Sequence, residues 1–498
     1  MKCCAGVFRF FLILSVTRFL VGCGGEGKSI PAEKKLNVIF ILSDDHRYDF
    51  MGFTGKVPEL KTPALDRMAR DGVHLRNAFV STALCSPSRA SILTGQYTHH
   101  HNVIDNQSPV PDSARFFPEY LQQAGYQTAF LGKWHMGNDD SKPRKGFDHW
   151  VSFKGQGVYY NPTLNVNGQE ISYKDSTHIT DLLTAKTLEF LNVRNKEKPF
   201  FIYLSHKAVH AEFQPAKRHV GVYKNISVAY PPSMFPPDDK RSSGAPYNYA
   251  DLPDWVKKQR HSWHGVDFMY HGAIQFEKFY QNYCETLLGV DESVQAILDQ
   301  LEKDGLMDNT VVFYMGDNGF SFGEHGLIDK RHAYEESMRV PLLAMGKNIA
   351  PGSSITEMVQ NIDIGPTILE LTGVTKPKNM DGESFATLLA GEKKAWRDTV
   401  YYEYFWERPF PQTPTVFAVR TTQYKFIRYQ GLWDINDLYD LQSDPDEMNN
   451  LIRSPKHQEI AKKLDQSLFR WLQQTNGMSM PLRKDEGTRF DHKYKGTY

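Results

Sequence analysis

The apolar residues fall into short continuous runs, separated by segments in which they recur with a helical period. Residues 36–43 (LNVIFILS) and 310–315 (TVVFYM) are two such runs, and both are rich in β-branched residues. Residues 127–131 and 199–204 show the same pattern, whereas apolar positions across 290–301 recur every three or four residues. Continuous runs are typical of parallel strands covered on both faces. Strands that alternate with helices predict an α/β fold with a large, doubly wound, mostly parallel sheet flanked by helices.

The pattern changes near residue 395. Three short strand-like runs then follow one another closely: 400–405, 415–420 and 424–429. Residues 457–474 have the spacing of an amphipathic helix that would pack on them. We therefore expect a main α/β domain over 36–395 and a smaller C-terminal subdomain of antiparallel sheet plus helix over 396–498.

The N-terminal segment differs from the rest of the chain. A short apolar stretch with basic flanks ends in Leu-Val-Gly-Cys at 20–23 and is too short to span a bilayer comfortably. It resembles a bacterial lipobox, which implies that residues 1–22 are a lipoprotein signal peptide and that Cys23 is lipidated. A plain signal peptide is the alternative. Residues 23–35 would then be a tether, and the expected location is the bacterial cell envelope, lipid-anchored, on the periplasmic or the outer side.

The net charge limits the classes of binding partner, and the cysteine content limits the possible disulfides. The chain has 58 basic and 58 acidic residues, a formal net charge of zero, so no global field directs it to nucleic acid or to a membrane surface. Membrane contact is expected only through the lipid anchor, and an anionic substrate would have to meet a local basic cluster. Beyond position 23 only Cys85 and Cys284 remain. An exported chain could pair them, although Cys284 lies in an apolar helical pattern typical of a core.

Cys-Ser-Pro-Ser-Arg at 85–89 is the first candidate for chemistry. Proline suits the first turn of a helix, so Cys85 would lie at a helix N-terminus, where backbone N–H groups favour an anion. Arg89 follows one turn later on the same face. A buried structural cysteine and a thiol with a lowered pKa are both consistent with these residues alone.

The motif, extended by Ala-Ser-Ile-Leu-Thr-Gly at 90–95, resembles the signature of type I sulfatases of the alkaline phosphatase superfamily. The resemblance covers essentially the whole mature chain. It implies that a formylglycine-generating maturation enzyme oxidises Cys85 to Cα-formylglycine, which is the nucleophile. An unmodified side chain at this position would lack the second hydroxyl of hydrated formylglycine and would stall as a sulfated adduct.

Two predicted strands end in acidic or amide residues, which indicates one site at the carboxyl edge of the sheet. Asp44 and Asp45 follow the first strand, and Asp317 and Asn318 follow the later one. A set of oxygen ligands suits Ca²⁺ better than Zn²⁺, although Asp44 and Asp45 alone would also suit a helix cap. The four positions match the calcium ligands of the sulfatase pattern, in which formylglycine at Cys85 completes the shell. We expect Ca²⁺ rather than Mg²⁺.

The resemblance also assigns roles to basic residues. Lys133 matches the lysine that contacts formylglycine and sulfate, and His135 matches the histidine that helps break down the sulfated intermediate. Lys330 matches the last basic residue of the site. Together with Arg89 and the metal ion, these lysines would place positive charge where negative charge develops on the sulfuryl group.

A further histidine lies in Ser-His-Lys-Ala-Val-His at 205–210. His210 matches the family histidine that contacts the substrate sulfate, and with Lys330 it would protonate the leaving oxygen. The family usually has proline where this chain has Val209, and His206 is the alternative. Asp317 would assist the attack of the nucleophile on sulfur.

The sugar is predicted from a narrower resemblance. Residues 159–168 and 180–182 resemble N-acetylglucosamine-6-sulfatases. This implies 6-O-desulfation of N-acetylglucosamine 6-sulfate from glycosaminoglycans such as heparan sulfate, with sugar contacts among 159–167, 263–264 and 403–415. The alternatives are a sulfatase acting on 2-O- or 4-O-sulfate or on an algal polysaccharide, a phosphonate or phosphate monoester hydrolase on the same fold, and a glycan-binding lipoprotein without catalysis.

Overall fold

The computed structural model describes residues 34–137 and 140–481. The predicted signal peptide, nearly all of the tether and Cys23 lie outside the described residues, so those expectations stay predictions. In the described ranges, no helix combines the length and the apolar character that a membrane crossing requires. The described residues from Lys35 onward form one compact unit.

Strands and helices alternate through the first three quarters of the chain. The described strands are β1 Asn37–Ser43, β2 Val73–Leu75, β3 Ala78–Phe79, β4 Gln127–Lys133, β5 His149–Phe153, β6 Thr163–Val166, β7 Gln169–Ser172, β8 Phe200–Ser205, β9 Thr310–Gly316, β10 Leu342–Gly346, β11 Ser353–Ile355, β12 Val359–Gln360, β13 Thr399–Tyr404, β14 Thr415–Thr421, β15 Tyr424–Gln430 and β16 Asp437–Asp440. The described α-helices are α1 Pro63–Asp71, α2 Cys85–Thr94, α3 Thr98–His101, α4 Phe117–Gln123, α5 Ile179–Val193, α6 Asp254–Gln259, α7 Phe276–Lys303, α8 Glu335–Met338, α9 Ile364–Leu371, α10 Ala386–Leu389 and α11 Gln458–Gln474.

In the part of the chain that the structure describes, the main sheet has 10 strands in the order β11-β2-β10-β9-β1-β8-β4-β5-β6-β7. Its centre, β9-β1-β8-β4-β5, is parallel. On one side of this centre, β10 pairs antiparallel with β9 and with β2. On the other side, β6 pairs antiparallel with β5 and with β7. The predicted mostly parallel sheet is therefore confirmed for the strands that carry the site, whereas short strands of both senses complete its edges.

Both faces of the sheet are covered, which explains the continuous apolar runs. Along β1, Val38, Phe40 and Leu42 point into one core, which also contains residues of α2, α4 and α9. Ile39 and Ile41 point into a second core with residues of α1, α5 and α7. Alternating side chains therefore meet helices on opposite faces, as a doubly wound fold requires.

The C-terminal segment forms a second, smaller sheet. β13-β14-β15-β16 are antiparallel throughout, and α11 packs on them by placing Leu468 and Trp471 against Phe417 and Val419. The predicted subdomain of antiparallel sheet plus helix is confirmed. The pattern did not show β16, because four residues of the sequence Asp-Leu-Tyr-Asp are too few to display an alternation.

Candidate active site

Two strand ends bring four oxygen-bearing side chains together. β1 and β9 are neighbours in parallel register, so the residues that follow them leave the same edge of the sheet. Side-chain oxygens of Asp44, Asp45 and Asp317 lie within 4.8 Å of one another, and all three residues are buried. Asn318 joins the group through a 2.7 Å hydrogen bond from its Nδ2 to Asp45 Oδ1. The arrangement predicted from sequence is therefore present.

The chemistry of this cluster fits a divalent cation. Asn318 Oδ1 is buried, and no described residue donates a hydrogen bond to it. Burial and the negative charge of Asp44 raise the pKa of Asp317 to about 7, and burial also raises the pKa of Asp45. A cation among these oxygens would satisfy the orphaned amide oxygen and stabilise the ionised carboxylates. Carboxylate and amide oxygens are the ligands that a hard cation prefers.

Cys85 lies beside the carboxylate cluster as the first residue of α2, as predicted. Its thiol donates to Asp44 Oδ1 at 3.5 Å, and its Sγ accepts a hydrogen bond of 3.1 Å from Lys330 Nζ. Burial and the negative charge of Asp44 raise the pKa of the Cys85 thiol to about 12. This environment is opposite to the one that would activate an unmodified thiol, so the thiolate interpretation does not fit.

The two cysteines among the described residues form no disulfide. Cys85 and Cys284 are both free and buried. Cys284 lies in α7, within the core on one face of the main sheet. The pairing that was open from the sequence is therefore wrong, and the expectation of a core role for Cys284 is correct.

Three cations surround the position of Cys85. Arg89, one turn along α2, donates from Nε to Asp317 Oδ2 at 3.0 Å. Lys133, the last residue of β4, forms an ion pair with Asp44, and Lys330 forms one with Asp45. All three side chains are almost fully buried. The predicted basic cluster is thus assembled from α2, the end of β4 and the segment after β9.

Two of the predicted histidines also reach the cluster. A ring nitrogen of His210 lies within 4.8 Å of the ligand atoms of Asp44 and Cys85. Burial and the positive charge of Lys133 hold the pKa of His210 and of His135 well below the ordinary value, so both imidazoles are neutral. His135 has a left-handed backbone with a φ of 54°, a conformation that is costly outside glycine and that clusters at functional sites.

The alternative histidine has a different environment. Burial lowers the pKa of His206 to about 3, and the charges that act on it are those of His178 and Asp181 rather than those of the cluster. Neither of its ring nitrogens has a hydrogen-bond partner among the described residues. Between the two candidates, the structure brings His210 rather than His206 to the site.

Two side chains at the site had no sequence assignment. Gln156 accepts a hydrogen bond of 2.5 Å from Lys133 Nζ. Lys207 is buried with its Nζ 4.8 Å from the centre of the Tyr159 ring, and burial together with Lys133 lowers its pKa to about 7. A signal for Gln156 was available, because it lies in a glycine-flanked turn just after the end of β5.

The regions predicted to contact sugar lie close to these residues. The Tyr159 hydroxyl donates to His210 O at 2.7 Å. His264 stacks on Phe410 with ring centres 5.1 Å apart. The guanidinium of Arg331, next to Lys330, lies 3.6 Å from the centre of the Phe410 ring. Residues 263–264 and 403–415 therefore contact each other beside Lys330.

Comparison with known proteins gives consistent matches. The family model described as sulfatase matches residues 36–374, and a model described as N-sulphoglucosamine sulphohydrolase, C-terminal, matches residues 323–474. A Bacteroides thetaiotaomicron protein named N-acetylglucosamine-6-O-sulfatase is 34% identical, over 90% of this chain and 88% of its own. The Homo sapiens protein named N-acetylglucosamine-6-sulfatase is 30% identical, over 95% of this chain and 91% of its own.

A solved structure shows the same similarity. It describes a protein in complex with its substrate D-glucosamine-2-N,6-O-disulfate. The two folds agree with a TM-score of 0.78 at 30% sequence identity, and the match covers 91% of this chain and 100% of the other. The similarity therefore includes the C-terminal subdomain as well as the main sheet.

Proposed function

Because the chain belongs to the sulfatase family of sulfuric ester hydrolases, we propose that it removes the 6-O-sulfate of N-acetylglucosamine 6-sulfate. The substrate would be the terminal residue of a glycosaminoglycan of the heparan sulfate type. Relatives at 34% and 30% identity that bear this activity in their names support the choice of sugar. So does the related structure, whose substrate also carries a 6-O-sulfate on glucosamine.

One observation carries the proposed chemistry. Cys85 lies between Lys330 and Asp44, at a helix N-terminus beside three buried carboxylates. An anionic sulfate ester placed there would meet the ammonium groups of Lys133 and Lys330. Fixed cations in a buried site stabilise developing negative charge more strongly than water does.

Two groups would complete the site. We propose that Asp44, Asp45, Asp317 and Asn318 hold Ca²⁺, and that Cys85 is present as formylglycine. When bound, the ion would supply positive charge against the sulfate oxygens, and formylglycine would supply the nucleophilic hydroxyl. The raised pKa values of Asp45 and Asp317 and the orphaned Asn318 Oδ1 support the metal.

Side chains of the site would carry out the proton transfers. His210 Nδ1 lies 2.5 Å from the backbone oxygen of Ala211. Because a carbonyl oxygen only accepts hydrogen bonds, Nδ1 carries the proton of the neutral ring and Nε2 is unprotonated. A sulfate anion beside Nε2 would favour its protonation, after which His210 could protonate the leaving oxygen. Lys330 keeps its proton because Asp45 raises its pKa well above the ordinary value, against the effect of burial. Neutral His135 is suited to accept a proton from the residue at position 85.

We further propose that a formylglycine-generating enzyme matures Cys85, and that lipidation of Cys23 anchors the protein in a bacterial cell envelope. The lipobox-like sequence at 20–23 supports the anchor. Radiolabelled palmitate incorporation that is lost in Cys23→Ala would support this location. Full recovery of the wild-type protein in a wash without detergent would contradict it.

The test of function is release of sulfate from free N-acetylglucosamine 6-sulfate. The protein is co-produced with a formylglycine-generating enzyme, and mass spectrometry of the peptide with position 85 verifies the modification. We expect calcium-dependent release that is absent in Cys85→Ala. If the modified protein releases sulfate neither from this sugar nor from an oligosaccharide that carries it at the non-reducing end, the proposed position is wrong. A panel of 2-O-, 3-O- and 4-O-sulfated sugars and of phosphate and phosphonate monoesters would then identify the ester that it cleaves.

A further inference from the structure

A cleft of about 790 Å³ opens between the segment around α6 and two loops of the C-terminal subdomain. Its walls come from 254–271, 409–412 and 432–434. A hydrogen bond of 2.9 Å from Trp255 N to Asp434 Oδ2 joins the first wall to the last. The volume lies within the range of small-molecule sites, which often form where two parts of a fold meet.

Several large apolar side chains in the walls of this cleft are exposed to solvent. Trp433 is fully exposed at 107%, Phe268 is 47% exposed and Leu432 is 42% exposed. Large apolar groups are normally buried, and a cluster of exposed ones indicates a binding surface. The polar groups at the rim include the exposed side chains of Lys258 and His261.

Continuous side-chain contacts connect the cleft to the candidate active site. Lys330 Nζ lies 3.1 Å from Cys85 Sγ, and the adjacent Arg331 contacts the Phe410 ring. Phe410 in turn packs against Trp263, a lining residue of the cleft, with ring centres 5.6 Å apart and planes tilted by 35°. The cleft therefore lies beside the candidate active site, with Arg331 and Phe410 packed between them.

The chemistry of the lining selects a carbohydrate. A pyranose ring has apolar C–H faces that pack on aromatic rings, and its hydroxyl groups bond to polar groups at the edge. The aromatic surfaces of Trp433 and Phe268 provide the first kind of contact, and Gln412, Lys258 and Asp254 provide the second.

We propose that the cleft is a saccharide-binding subsite, which holds the sugar units that continue from the sulfated residue in the active site. The identity of those units rests on the proposed function. The enzyme would therefore prefer the end of an oligosaccharide to the free monosaccharide, because extra contacts form beyond the reacting sugar.

The test compares two substrates with the formylglycine-bearing full chain. One is free N-acetylglucosamine 6-sulfate, and the other is a heparan-type tetrasaccharide that carries this sugar at its non-reducing end. We expect Trp433→Ala to lower kcat/KM for the tetrasaccharide about three- to tenfold, the effect of one lost aromatic contact. Turnover of the monosaccharide should change less than about twofold. Equal effects on both substrates, or none on either, would overturn the proposal.

The control variant is Phe53→Ala, which removes an aromatic side chain of 38% exposure that is not part of the cleft. It should alter neither rate constant, which separates the loss of a contact in the cleft from a general effect of removing surface aromatic area. Unchanged melting temperatures of both variants would establish that they fold.

A binding measurement separates this proposal from the proposed function. Calorimetry with the tetrasaccharide lacking the 6-O-sulfate should show binding to the wild-type protein that weakens in Trp433→Ala. If the wild-type protein binds in this way but cleaves neither substrate, the proposed activity is wrong and the cleft proposal stands. Absence of saccharide binding would overturn the cleft proposal. So would Trp433-dependent binding to vesicles of phosphatidylethanolamine and phosphatidylglycerol in place of the saccharide.

Discussion

Asn318 provides the sharpest test of the metal site, because one half of its amide is satisfied and the other is not. Its Nδ2 donates to Asp45 Oδ1 at 2.7 Å and to Gly319 O at 2.8 Å. Its Oδ1 is buried and has no donor among the described residues. An unsatisfied buried polar group costs about 1–3 kcal/mol. A calcium ion bound to Oδ1 would remove that cost, so calcium should stabilise the folded protein through this atom.

The expected magnitude follows from linkage. At a calcium concentration 100 times the Kd, binding to the folded state adds about 2.7 kcal/mol to the free energy of unfolding. An entropy of unfolding of about 2.1 cal/mol/K per residue implies that Tm rises by about 1 °C per kcal/mol in a unit of this size, so the wild-type increment is about 3 °C. If Asn318→Ala weakens the site tenfold, the increment falls to about 1.4 kcal/mol, or about 1.5 °C.

The assay measures Tm in EGTA and in calcium for the wild-type protein, for Asn318→Ala and for Asn450→Ala. Asn450 is a buried asparagine of the C-terminal subdomain whose Nδ2 donates to Asp437 Oδ1 at 2.7 Å. Its removal should lower Tm equally in both conditions and leave the calcium increment unchanged. Equal Tm values of the wild-type protein in EGTA and calcium, or a full increment in Asn318→Ala, would refute the assignment. Repeating the titration with Mg²⁺ should give a smaller increment.

Three further predictions concern catalysis and pH. Cys85→Ser should lose multiple turnover and keep a sulfate adduct at position 85, which mass spectrometry would detect; sustained turnover would rule out the proposed role of formylglycine. Gln156→Ala should lower kcat/KM about tenfold without changing Tm, since it removes the amide oxygen that holds Lys133 Nζ; an unchanged kcat/KM would show that Gln156 does not position this lysine. Burial raises the pKa of Asp437 to about 8, although Tyr429 and Tyr334 donate to it. The raised pKa means that the folded state holds this proton more tightly than the unfolded state, so the associated stability is complete below about pH 4 and lost as pH rises towards 8. Urea unfolding should therefore show that the stability of Asp437→Asn relative to wild type rises as the pH increases from about 4 to 8. A difference independent of pH would contradict the raised pKa of Asp437.

Elements that depend on neighbouring residues in the chain could be predicted from the sequence. The apolar runs that became β1 and β9 were visible because both faces of the sheet are covered, and Asp44 and Asp317 follow directly where those runs stop. The proline at position 87 located the start of α2, and with it the position of Cys85, because a proline is tolerated in the first turn of a helix.

Where a predicted element ends at the wrong residue, contacts with distant strands explain the error. The predicted strand over 127–131 continues in the structure to Lys133, because β5 and β8 supply backbone partners on both sides. Gly132 has a φ of 118°, and a side chain there would lie 1.8 Å from Ser205 O. This close approach of β4 to β8 requires glycine, and it depends on a strand that lies more than seventy residues away.

Only the tertiary structure shows how the distant residues of the predicted site come together. The sequence order gives no indication that β1 lies between β8 and β9, yet that placement brings the ends of these strands together. The tertiary structure places His210, the histidine favoured from the sequence, near the carboxylates. It also shows two features that the sequence did not predict: Gln156 accepts a hydrogen bond from Lys133, and a cleft opens between α6 and the loops near Trp433. The local sequence pattern reflects which secondary structure neighbouring residues favour. Contacts between distant segments depend instead on how helices pack on the two covered faces of the sheet.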